Sequence, residues 1–152
     1  MAYDTTEARR EMLAEIAGAA DDLAAAIAAL GEAYELLDEA NADRLEDELF
    51  GPIQAAYGRA KRTHAGFAAR MGLASGSFAP ATAGHPSQGV TGFLEAAFED
   101  VSRADARLSE LQDSMRPVDV GDAELRAGLA EVRTLLAELP ARARNFMRTL
   151  GR

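Results

Sequence analysis

Residues 13–37 read LAEIAGAADDLAAAIAALGEAYELL, and their larger apolar positions, Leu13, Ile16, Ala20, Leu23, Ile27, Leu30, Tyr34 and Leu37, are spaced alternately by three and four. That spacing keeps a narrow apolar stripe on one side of a helix and predicts packing against other helices. Leu125, Leu129, Val132, Leu136, Leu139, Ala143, Phe146 and Leu150 repeat the pattern near the other end of the chain. Leu45–Met71 and Leu94–Met115 carry it as well, and no run argues for a strand. The reading is all-α, a four-helix antiparallel up-down-up-down bundle, with long helices at about 5–37, 43–72, 91–115 and 122–150 in a single domain 1–152.

Capping and breaking residues set the expected boundaries. Thr5 or Thr6 is placed to cap the first helix, with Gly18 and Gly31 inside it. Asp38–Asp43 (DEANAD) predicts a tight hairpin, with Asp43 capping the second helix. Pro52, after Gly51, and Pro140 predict kinks, because proline removes a backbone donor and crowds the preceding turn. Residues 73–90 are rich in small turn-forming residues and are expected to be a long loop. Thr91 is positioned to cap the third helix, Arg116-Pro117 to end it, Asp119 or Asp122 to start the fourth and Gly151 to finish it.

The 152 residues suffice for one domain with a substantial core, so no disulfide or metal is required to hold it. There is no cysteine, which removes thiol catalysis and thiolate metal sites. No run approaches the roughly 20 apolar residues of a membrane span. A polar N-terminus leads straight into the first amphipathic stretch, so a cytoplasmic protein is expected. The net charge of −9 opposes nonspecific binding to nucleic acid or anionic lipid. An alanine- and arginine-rich composition with Lys61 as its single lysine fits a GC-rich bacterial genome.

Charge placement agrees with antiparallel helices. The first helix begins with Glu7, Glu11 and Glu15 and the third with Glu95, Glu99 and Asp100, while the second ends with Arg59, Lys61, Arg62 and Arg70 and the fourth with Arg142, Arg144 and Arg148. In an up-down-up-down order all four segments meet at one end, and each charge also suits its own helix dipole.

Bundles of this size host carboxylate di-iron sites, but no Glu-x-x-His pair occurs and there are only two histidines, His64 and His85. No metal is therefore expected. His64 lies on the apolar stripe of the second helix, at the expected level of Ala17–Ala20, Phe98–Val101 and Leu139–Ala143. A neutral imidazole there needs a partner, and Pro140 leaves the Leu136 carbonyl available. The functional alternative is a polar contact in a ligand cavity, or haem ligation with Met12, Met71 or Met115 as second ligand. Gly31, Gly51 and Gly128 fall at similar levels in this register and suit close helix packing or a void. Ser75, Ser77, His85 and Ser87 contain a hydroxyl and a base, but no third orienting group.

The hairpin end is strongly acidic: Glu32, Glu35, Asp38, Glu39, Asp43, Glu46, Asp47 and Glu48 stand against Arg44 alone. No calcium loop is formed, because glycine and the terminal glutamate are missing from their positions. Tyr34-x-x-x-Asp38 resembles the Tyr-x-x-x-Asp/Glu signal of type VII secretion substrates over five residues, without their Trp-x-Gly turn, and no family is assigned on it. The expected function is a non-enzymatic interaction or adaptor module, a homo-oligomer or one that meets a basic protein through Glu35, Asp38, Glu39 and Asp43, with no cofactor. The alternative is a small-molecule or cofactor-binding bundle with its site near His64.

Overall fold

The computed structural model describes residues 2–83 and 89–150. Helix α1 (Ala2–Leu36) is followed by α2 (Glu39–Leu45), a π-helical turn (Glu46–Phe50), α3 (Gly51–Arg70), α4 (Gly89–Asp113), the single turn α5 (Arg116–Asp119), α6 (Ala123–Ala137) and α7 (Leu139–Leu150). Among the described residues the fold is all-helical, with no strand.

The apolar stripes become the core. In α1, Leu13, Ile16, Ala20, Leu23 and Leu30 are buried, and Ile27, Tyr34 and, just past its end, Leu37 pack against the core from the edge. A second stripe, Met12, Ala19, Ala26 and Ala33, is fully buried and widens the apolar face beyond the three-four seam. That width lets α1 lie against α4 and α3 together. In α6 and α7, Leu125, Leu129, Val132, Leu136, Leu139, Ala143 and Phe146 are all buried, as their spacing predicts.

Several boundaries differ from those expected. Asp38, not Asp43, caps the second helix: its backbone is extended (φ −69°, ψ 166°), and its side chain accepts from the Asn41 N–H at 3.0 Å. Asp43 is exposed inside α2. Thr5 and Thr6 lie within α1 and Thr91 within α4, so none of them is a cap. Asp122 caps α6, accepting from the Leu125 N–H at 2.8 Å, while Asp119 ends α5. Met115, at φ 67°, turns the chain out of α4. The expected Gly151 stop, and His85 and Ser87 of the loop, lie outside the described residues.

The two prolines act differently. At Pro52 the chain stays helical, but the preceding turn widens so that the Gly51 N–H donates to the Glu46 carbonyl, an i→i−5 bond. The Glu48 carbonyl, whose usual donor would be the absent N–H of Pro52, accepts instead from Arg142 Nη1 at 3.4 Å. The irregularity expected at Pro52 is thus a π turn over Glu46–Phe50. Pro140 does interrupt its helix: α6 ends at Ala137 and α7 begins at Leu139.

Ion pairs fix the helix directions. Glu11 meets Arg116 (3.1 Å), Glu15 meets Arg107 (3.8 Å), and Asp22 meets Arg107 (2.8 Å) and Arg103 (3.5 Å), so numbers fall along α4 as they rise along α1. Across α3 and α6, Arg59 pairs with Glu131 (2.6 Å) and Arg70 with Asp122 (2.6 Å), again in opposite order. The end of α4, not its start, therefore lies beside the start of α1. This corrects the expected up-down-up-down order. The reason is the connection from Arg70 to Gly89: an extended chain covers about 3.3 Å per residue. It can therefore return the whole length of α4, whose 25 residues span about 37 Å. Short connections force sequential antiparallel neighbours, and this one does not.

The register also separates the glycines. Gly128 lies against the Thr63 side chain, leaving no room for a Cβ, whereas Gly31 has open space there. Gly128 thus belongs to the level of Thr63 rather than that of Gly31 and Gly51. Gly128→Ala is expected to lower unfolding stability by about 1–3 kcal/mol through overpacking. Gly31→Ala should raise it by up to about 1 kcal/mol through helix propensity. Denaturant melts of the two variants check this, and equal effects would reject the register.

Candidate functional site

His64 sits on the buried face of α3 between Ala60 and Phe67 and is 5% exposed. What covers it is the chain just after the helix. The Leu73 N–H donates to the Ala68 carbonyl at 2.8 Å, and Gly72 adopts φ +69°, which closes α3 with a left-handed residue that glycine takes without strain. The segment that follows folds back along α1 and α3. Phe78 brings its ring edge-on to the imidazole, 5.2 Å between centroids at 86°, and Leu73 and Phe78 pack on the core.

Beneath this strap is a cavity of about 380 Å³. Arg10, Leu13 and Ala17 of α1, His64 of α3, and Leu73 and Phe78 of the strap form its principal walls. Nδ1 of His64 is buried and has no hydrogen-bond partner. Burial holds the imidazole below the ordinary histidine range, so the ring is neutral near pH 7. The Leu136 carbonyl is not the partner of Nδ1, which has none, and the α6 residue against Thr63 is Gly128, roughly two turns earlier. Of the levels expected for His64, that of Ala17 on α1 is found; α4 runs the other way, and Arg107 is the residue it lays over Gly18.

The remaining candidates are dispersed. Met12 is buried in the core, Met71 packs at its edge, and Met115 is 51% exposed on the turn after α4. Among the described residues no group of three His, Asp or Glu could hold a metal ion, and no helix is long and apolar enough to cross a membrane. Glu35, Asp38, Glu39 and Asp43 are exposed, but their end of the molecule is less purely acidic than the sequence suggests. Arg44 pairs with Glu48 at 3.3 Å and lies over the Phe146 ring, and Arg142 of α7 bonds the Glu48 carbonyl.

A second cavity of about 380 Å³ was not foreseen. It lies between the π turn, α4 and α7, among Leu49, Ile53, Phe98, Val101, Leu139 and Met147. Pro52 and Pro140 each signalled irregular backbone in the sequence, but only the fold brings the two irregularities together.

A histidine whose folded pKa is lowered binds fewer protons than in the unfolded chain, so it adds to the rise of stability with pH. Its contribution is complete above the unfolded value of about 6.5 and is lost as pH falls toward the folded value. The loss of melting temperature between pH 7 and pH 5 should therefore be smaller in His64→Leu than in the parent chain. NMR titration should place the His64 midpoint below that of a free imidazole, and a midpoint at the free value would contradict its burial. Compared with known proteins, the chain matches no family model, no curated protein and no solved structure.

Proposed function

We propose that the chain is a non-enzymatic, ligand-binding four-helix bundle, its arms ordered up-down-down-up, with a small-molecule site at His64. The observation that carries this reading is a cavity lined by His64, a residue whose buried Nδ1 has no hydrogen-bond partner. A buried polar atom without a partner costs about 1–3 kcal/mol, and a ligand that displaces the atoms covering Nδ1 and bonds to it offsets that cost. The non-enzymatic part rests on chemistry: Ser75 and Ser77 line the cavity without a hydrogen bond to His64 among the described residues, and a nucleophile needs an oriented base. The test is a fragment screen read by the imidazole NMR signals of His64. Fragments that shift those signals in the parent chain and lose affinity in Phe78→Ala support the reading. A screen in which no fragment moves His64 overturns it.

The adaptor reading is favoured by a separate observation. Leu36 is 54% exposed at the end of α1, with exposed Glu32, Glu35, Asp38, Glu39 and Asp43 on the same and following turns. An apolar residue among carboxylates suits a basic protein surface. The variant E35Q/D38N/E39Q/D43N retains a capping side chain at position 38. It is expected to melt higher, through reduced like-charge repulsion, and to lose salt-sensitive capture of a basic partner. Unchanged capture would remove this reading.

A further inference from the structure

We infer that the His64 cavity takes a small amphiphilic carboxylate, its acid group on Arg10 at the rim and its apolar body between α1 and the strap. The inference rests on the ligand-binding reading above and names the class of ligand. Three features select that class. The inner walls, Leu13, Ala14, Ala17, Leu73 and Phe78, are apolar and offer nothing to a strongly hydrated solute. In a chain of net charge −9, the cavity is lined, among the described residues, by one cation, Arg10, and by no carboxylate. A cationic ligand would find no counter-charge there, whereas an anion finds a guanidinium, and Ser75 and Ser77 add hydroxyl donors.

Arg10 is also available. Its ion pair with Glu7 is long, 3.7 Å, and joins side chains that are 60% and 43% exposed, so it is readily exchanged for a better acceptor. The neighbouring Arg9 is engaged, donating from Nε to the Val120 carbonyl at 2.9 Å. Arg10 thus stands at the open edge and His64, 5% exposed, on the inner wall, which orients an amphiphile with its acid outward. A cavity of about 380 Å³ lies at the low end of the usual range for ligand sites, which favours a medium-length chain or a single ring over a long acyl chain.

Three probes sharing one body separate the contributions: octanoate, 1-octanol and octylamine, titrated into the full chain and followed by the His64 and Phe78 NMR signals. Octanoate is expected to bind about five-fold or more tightly than octanol, allowing for a charged hydrogen bond weakened by exposure, with octylamine weakest. Arg10→Gln should bring octanoate down to the octanol affinity while leaving octanol unchanged. Arg62→Gln, a control outside the cavity, should change neither. Octanoate affinity should also decline with salt. If all three probes bind alike and Arg10→Gln has no effect, the carboxylate class is wrong while the ligand site stands. If no probe moves His64, both fail.

Discussion

The rest of the molecule depends on the packing of α1 against α4. Met12, Ala19, Ala26 and Ala33 form a fully buried stripe of mostly small side chains, which lets the backbones of neighbouring helices approach closely. Along it, Asp22 is 14% exposed and receives both Arg107 and Arg103, while Gly18 leaves room for the Arg107 guanidinium to lie flat over the helix. The energies divide the work. A fully buried Leu or Ile contributes about 1.5–3 kcal/mol, whereas a largely exposed ion pair contributes about 1 kcal/mol or less. The apolar stripes therefore hold α1, α3, α4 and α6 together, and the ion pairs select which direction and register they adopt. Reversing α4 would bury the same leucines but would separate Glu11 from Arg116 and Asp22 from Arg107.

Both cavities lie where this regular packing is interrupted. At one end the left-handed Gly72 sends the chain back over α1 and α3, and the strap it starts covers a histidine instead of filling the space with side chains. At the other, the widened turn before Pro52 and the break before Pro140 meet beside α4. Arg142 stitches that region together by supplying the donor that Pro52 lacks. The same direction of α4 brings its Arg103 and Arg107, and Arg116 of α5 just after it, to the acidic side of α1.

Periodicity alone determines the helices, their apolar faces and the burial of His64, because a three-four spacing admits one continuous core face and His64 falls on it beside Ala60 and Phe67. Local backbone chemistry likewise points to the loop after Arg70 and narrows the cap of α6 to Asp119 or Asp122, of which the structure uses Asp122. The direction of α4 was decided by the tertiary structure. The Arg70–Gly89 connection is long enough to permit either direction, and the acidic start of α4 suits its own dipole in both. Choosing between them required knowing that Arg103 and Arg107, in the middle of α4, meet Asp22 in the middle of α1. The cover over His64 was likewise beyond the sequence: Phe78 reads as an isolated aromatic in a loop, and its contact with the imidazole exists only because Gly72 turns the chain back. Local patterns specify which faces are apolar, but which face meets which is a property of the whole packed chain.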